Sequence, residues 1–284
     1  MILAKNRVIS MQKSILITGC SSGIGYDCAM SLHARGWRVV ASCRRPEDVA
    51  RLTAEGLTCL QIDVADDASL RAGWAAALEI TGGRLDALFN NAGYGQPGAA
   101  EDIGRDALRA QFETNLFGGW QLANLALPVM RAQGAGRILF NSSILGFAAM
   151  RYRAAYNASK YAIEGLCDTL RQELAGSGID VVLIEPGPIR SRFRDNALEH
   201  FLAHIDVDGS AHRAAYQGQL ARLRKVGAAA PLTLGPEAVT AAVWRALTAK
   251  RPAARYRVTF PTKLFWVLKR LLPTAWLDWV SRRV

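Results

Sequence analysis

Ser14-Ile15-Leu16-Ile17-Thr18-Gly19-Cys20-Ser21-Ser22-Gly23-Ile24-Gly25 joins a short apolar run to a glycine-rich turn, and an apolar-periodic segment from Ile24 to Arg35 follows. The order is strand, turn, helix. Glycines at such a turn let the backbone approach a pyrophosphate at a helix N-terminus, where free N–H groups and the helix dipole favour negative charge. The spacing here is Gly-x3-Gly-x-Gly, which departs from the Gly-x-Gly-x2-Gly of the commonest dinucleotide fingerprint.

Further Val-, Ile- and Leu-rich runs recur at Arg38 to Ser42, Leu57 to Ile62, Leu85 to Asn90, Arg137 to Asn141, Asp180 to Ile184 and Tyr256 to Phe260. Between them lie longer segments with helical spacing, such as Asp66 to Ile80 and Arg105 to Met130. Strands alternating with helices predict an α/β fold: a doubly wound parallel sheet of about seven strands in a single domain. Gly36 suits the end of the first helix.

The chain has 284 residues, 50% of them apolar, enough for one large core. Its five cysteines are odd in number and unclustered, which reads as cytosolic thiols and a cytoplasmic protein. Residues 1–11 read as an extension outside the fold, without a signal-peptide apolar run, and no later stretch has membrane-spanning length. The formal net charge of +11 suits an anionic partner. Basic residues concentrate between Lys250 and Val284, and no nucleic-acid-binding motif accompanies them.

Polar residues at the predicted strand ends supply the chemistry. About twenty residues past the glycine turn, where an NAD-binding domain offers an acid to the ribose, the chain has Cys43-Arg44-Arg45-Pro46. A guanidinium fork there binds a 2′-phosphate and favours NADP(H), with Arg44 the first contact and Ser22 an added hydroxyl; a solvated loop pair is the alternative. Asp63 reads as an acceptor for an adenine amino group, with Val64 packing on the ring, or else as a helix cap. Asn90-Asn91-Ala92-Gly93 ends the fourth strand, and Asn115 sits inside a predicted helix, where Asn needs a reason to be. Asn141-Ser142-Ser143 ends the fifth strand, and Tyr156 and Lys160 share one helix face.

Thr18-Gly19-x3-Gly23-x-Gly25, Asn90-Asn91-Ala92-Gly93, Asn115, Ser143, Tyr156-x3-Lys160 and Pro186-Gly187 occur in the order and approximate spacing of the short-chain dehydrogenase/reductases, which this chain resembles from Ser14 to Phe193. The resemblance implies a Rossmann-type sheet and hydride transfer between NADP(H) and a carbonyl or alcohol carbon. It assigns Tyr156 as proton donor and acceptor, Lys160 as its electrostatic helper and ribose ligand, Ser143 as donor to the substrate oxygen and Asn115 as holder of a relay water. By the same resemblance Gly19, Ser21, Ser22, Gly23, Ile24, Gly25, Arg44, Asp63, Val64, Asn91, Ala92 and Gly93 bind the cofactor. Pro186 and Gly187 pack on the nicotinamide, Ile189 offers backbone to its carboxamide, and Ser191 stands where the family more often has Thr. The members most similar are bacterial aldehyde reductases, retinol dehydrogenases and hydroxysteroid dehydrogenases, implying an apolar aldehyde, ketone or alcohol substrate and a homo-oligomer.

Residues 12–260 form the expected cofactor-binding and catalytic domain, with an irregular substrate loop at about 188–232. His200 and His204 have i,i+4 spacing, but Glu199 precedes rather than follows the first, so the zinc-protease pattern fails and no metal is expected. Residues 261–284 combine Leu, Phe and Trp with Lys and Arg, and Pro273 divides them into two short helices. This tail reads as a lid or subunit contact, or alternatively as a peripheral membrane contact. A non-catalytic NADP(H)-binding sensor or scaffold is the competing function class.

Overall fold

The computed structural model describes residues 12–225, 227 and 230–283. The 1–11 extension lies outside the described residues. Seven parallel strands form one sheet: β1 (Ser14–Ile17), β2 (Arg38–Cys43), β3 (Thr58–Gln61), β4 (Ala87–Asn90), β5 (Gly136–Asn141), β6 (Ile179–Glu185) and β7 (Arg255–Arg257). Their order is β3-β2-β1-β4-β5-β6-β7, so the winding reverses between β1 and β4. Ligands of open parallel sheets bind at the C-terminal strand ends beside such a reversal.

The central strands are apolar on both faces because helices cover both. Leu16, Leu88 and Ile138 pack with Leu70 and Trp74 of α3 (Asp67–Ile80), Leu122 of α5 (Gly118–Gln133) and Ile163 of α6 (Ala154–Glu173). Ile15, Ile17, Phe89 and Leu139 turn the other way, onto Leu32 of α1 (Gly23–Ala34), Leu52 of α2 (Pro46–Ala54) and Val243 of α9 (Glu237–Thr248). Each fully buried side chain of this kind contributes roughly 1.5–3 kcal/mol. Gly36 closes α1 with φ +82.

Three elements differ from the sequence reading. The single helix expected over Arg105 to Met130 is α4 (Arg105–Phe112), a π-helical turn (Glu113–Phe117) and α5, with Asn115 buried in the π turn. The seventh strand stops at Arg257, because the Thr259 hydroxyl accepts from Thr262 N and starts α10 (Phe260–Leu271), with Pro261 in its first turn. The stretch expected to be irregular contains α7 (Phe193–His204) and α8 (Arg213–Arg224). Tertiary contact holds those two helices, since Ala197, Phe201, Tyr216 and Leu223 form a small core against Ala99. Within the tail, Pro273 separates α10 from α11 (Thr274–Ser281).

Candidate active site

The C-terminal ends of the strands open into one cavity of about 880 Å³, within the size range of small-molecule sites. Of the residues expected at the site, all but Gly25 and Asn115 line it.

The glycine turn owes its shape to backbone that other residues resist. Gly19 has φ +71, and a Cβ there would lie 2.7 Å from Ala92 Cα. Gly23 has φ +58 and faces Ser191, whose Cβ would be 2.8 Å from an added Cβ. Gly25 sits beneath the turn, where a Cβ would meet Gly19 O at 2.2 Å. Ser22 is the N-cap of α1, yet its hydroxyl makes no cap hydrogen bond. Backbone donors, a helix N-terminus and an open hydroxyl therefore face the cavity, which fits a pyrophosphate.

Asn91 fastens this turn to the sheet. Its Nδ2 donates to Thr18 O at 2.9 Å and Gly19 O at 3.1 Å, and the Asn91 and Ala92 amides both donate to Thr18 Oγ1 at 3.0 Å. Asn91 Oδ1 accepts from Asn141 Nδ2 at 2.9 Å. Lys160 Nζ donates to the Asn141 carbonyl at 2.6 Å. Thr18 and Asn141 were absent from the sequence-based site, although both stand at strand ends beside residues that were included.

Tyr156 lies in the first turn of α6, and burial pushes its phenol up to about 12, against opposing pulls from a Ser143 hydrogen bond and the nearby Arg153 charge. Lys160 is 4% exposed, and burial brings its ammonium down to about 8, with Glu164 opposing. Its Nζ is 5.5 Å from the Tyr156 ring centroid. The Ser142 hydroxyl donates instead to Glu164 Oε1, and Glu164 Oε2 accepts from Arg255 Nε at 3.1 Å. Ser143 alone of the pair is thus turned to Tyr156. The Ser143 turn is also tied to the next strand end, where Ile144 N donates to Pro186 O at 2.8 Å.

Asn115 Nδ2 donates to Tyr94 O at 3.0 Å and to Ser159 Oγ at 3.1 Å, while its Oδ1 accepts from Tyr94 N at 3.0 Å. It also lines a small cavity of about 10 Å³ shared with Asn90, Asn141 and Lys160. That volume is close to what one water occupies. Asn90 Oδ1 and Nδ2 and Asn141 Oδ1 are buried without a protein partner there. The π turn thus gives Asn115 its buried position.

At the adenosine end, Arg44 is exposed on the cavity rim, and Gln61 Nε2 donates to its carbonyl at 3.2 Å. Asp63 is not the cap of α3: Asp66 accepts from Ser69 N at 2.7 Å, and Asp63 Oδ1 accepts from Ala65 N. Pro188 O and Arg190 N pair with Leu234, so the N–H and C=O of Ile189 point to the opposite side.

The substrate end is walled by helices the sequence left undrawn. Phe193 of α7 meets the Tyr156 ring edge-on at 5.3 Å, and Phe265 of α10 packs on Ile144, Leu145 and Ala148 beside Ser143. His200 stacks on Tyr94 at 4.0 Å, and His204 Nδ1 pairs with Gln96 Oε1 at 2.9 Å. Arg153, Arg194 and Arg222 also line the cavity; only their half-buried placement there, invisible in the sequence, distinguishes them from surface arginines.

Residues 13–200 match the family model described as short chain dehydrogenase. The uncharacterised oxidoreductase YbbO of Escherichia coli strain K12 is 43% identical over 268 residues, covering 94% of this chain and 93% of that protein. Human 17-beta-hydroxysteroid dehydrogenase type 1 is 35% identical, covering 90% and 80%. A Burkholderia phymatum short chain dehydrogenase/reductase solved with NAD superposes with a TM-score of 0.77 at 26% identity, covering 95% of each chain. With more than half its length matched by the family model, the chain belongs to the short-chain dehydrogenase family.

Proposed function

We propose that this protein is an NADP(H)-dependent oxidoreductase acting as an apolar carbonyl reductase or alcohol dehydrogenase. The observation that carries the reading is the grouping of the Tyr156 phenol, the Ser143 hydroxyl and the Lys160 ammonium in one cavity with the glycine turn. The glycine turn, Arg44 and Lys160 would hold NADPH, which when bound would supply the hydride for the carbonyl carbon. The Tyr156 O–H gives its proton to the carbonyl oxygen, and the Ser143 hydroxyl donates to that oxygen as it gains charge. The phenolate left on Tyr156 is stabilised by the Lys160 ammonium, itself anchored on the Asn141 carbonyl. A water held by Asn90, Asn115 and Asn141 connects Lys160 to the proton supply. In the oxidative direction Tyr156 takes the alcohol proton instead.

Arg44, standing at the end of β2 where an NAD-binding domain offers an acid to the ribose, supports NADP(H) over NAD(H). The substrate wall of Phe193, Leu264 and Phe265 supports an apolar carbonyl, and the names of relatives mention a hydroxysteroid and retinol. Retention of Ser143, Tyr156, Lys160 and Asn115 disfavours a sensor or scaffold without turnover. The protein works in the cytoplasm as a homo-oligomer. Docking of α10 beside Ser143 supports a lid or subunit contact for the tail over a lipid contact. Among the described residues, no helix is long and apolar enough to cross a membrane.

The test is a screen of medium- and long-chain aldehydes, retinal and steroid ketones with NADPH and NADH. Turnover of an apolar carbonyl with NADPH preferred is expected. Absence of turnover on all classes, with NADPH still bound, would favour the sensor.

A further inference from the structure

Three arginines from three different helical regions converge on the substrate end of the large cavity: Arg153 just before α6, Arg194 in α7 and Arg222 in α8. Among the described residues none of them forms an ion pair. Their recorded partners are neutral. Arg153 Nη1 donates to Met150 Sδ at 3.0 Å, Arg194 Nη2 to Gly227 O at 2.5 Å and Arg222 Nε to Gln219 Oε1 at 3.3 Å. Arg194 Nε and Nη1 are buried with no hydrogen-bond partner. Residues 1–11, 226, 228, 229 and 284 carry no acidic side chain, so none of them supplies a side-chain carboxylate. Glu199, the acid of α7 that reaches the cavity, is exposed and unpaired among the described residues.

Guanidinium groups drawn partly out of water without a counter-charge are costly, and like charges held together add to the cost. Burial and the neighbouring Arg222 charge bring Arg153 down to about 10, and Arg222 is lowered by burial and by Arg194, so the three charges oppose one another. An arrangement of this kind is relieved by an anion. Arg153 is also close enough to Tyr156 for its charge to act on the phenol, which puts the cluster on the reacting side of the cavity. Met150, Phe193 and Leu223 line the same cavity and give it apolar surface beside the arginines.

We propose that Arg153, Arg194 and Arg222 bind an oxyanion group carried by the substrate, so that the preferred substrate is an amphiphile with an apolar body, a carbonyl or alcohol, and a carboxylate or phosphate. This rests on the reading of the cavity as an oxidoreductase site. Arginine forks recognise both oxyanions in bidentate fashion, and charge-assisted bonds of that type change affinity by about tenfold to a hundredfold.

The test is isothermal titration of the full chain, saturated with NADP⁺ so that the cofactor-phosphate end is filled, with decanoate, decyl phosphate and decanol. At least one anion is expected to bind about tenfold or more tighter than decanol and to raise the unfolding temperature more. The tighter anion identifies the headgroup. Arg194→Gln and Arg222→Gln, made separately so that one folded variant suffices, should bring the anion-to-alcohol ratio to within about twofold. Equal binding of decanol and both anions in the parent, or an unchanged ratio in both folded variants, would overturn the proposal. Turnover of nonanal is then compared with that of its ω-carboxylate counterpart. Turnover of nonanal without anion preference removes only the arginine site, whereas anion binding without turnover of either removes the oxidoreductase reading and leaves the site.

Discussion

Lys160 Nζ donates to the Asn141 carbonyl at 2.6 Å, and the side chain of the same asparagine donates to Asn91 at 2.9 Å. Since Asn91 in turn holds the Thr18 and Gly19 carbonyls, one hydrogen-bonded line runs from the proton-transfer lysine to the glycine turn. Both ends of the cavity are therefore registered to each other through side chains rather than through the sheet alone.

Asn91→Ala cuts that line in the middle and strands the carbonyl and amide groups it served. A loss of about 1–3 kcal/mol in unfolding free energy and weaker binding of NADPH are expected together. Chemical denaturation and fluorescence titration of the cofactor measure the two, and an unchanged affinity would show that the line is only structural.

Burying Lys160 costs stability, and the sign of its pH dependence follows. Its folded value of about 8 lies below the ordinary 10.5, so the cost is complete below pH 8 and disappears as pH rises towards 10.5. Lys160→Met should abolish turnover yet gain up to about 3 kcal/mol of stability at pH 7, with the gain shrinking above pH 8. Thermal unfolding across pH 7 to 10.5 checks this, and a destabilised variant at pH 7 would contradict it.

Tyr156→Phe removes one oxygen from a site that is otherwise intact. Turnover should fall by about a thousandfold or more while NADPH still binds, since general acid–base catalysis contributes about 10²–10⁴ and the proton has no other donor within the grouping. Near-normal rates would transfer the role elsewhere.

Arg44→Ala tests cofactor choice without touching the reacting groups. The KM for NADPH should rise about tenfold to a hundredfold while that for NADH changes little. Equal effects on the two cofactors would remove the 2′-phosphate from the account.

Trp276 and Trp279 on α11 are exposed at 67% and 53%. If the tail is a lid or subunit contact, the protein should stay in the supernatant with anionic vesicles at low salt, and truncation before Pro273 should change KM or oligomeric mass. Co-sedimentation would favour the lipid reading instead.

The sequence by itself determined the parts that depend on local order. Apolar runs such as Ile15–Ile17 and Leu88–Phe89 are short and buried on both faces, so a parallel sheet was the one arrangement that suited them. The glycine turn was equally legible, because Gly19 and Gly23 occupy backbone conformations that other residues resist. Tyr156 and Lys160 share a helix face by spacing alone. Tertiary structure decided the rest. Whether Ser142 or Ser143 meets the tyrosine depended on Glu164, which lies 22 positions from Ser142. The burial of Asn115 depended on a π turn whose unusual hydrogen bonding leaves no periodic signature. The helices α7 and α8 exist because Phe201 and Tyr216 dock together, and a weakly amphipathic pattern does not announce that contact. The three arginines are charged in any reading, but only folding draws them partly out of water and sets them against one another around a single cavity.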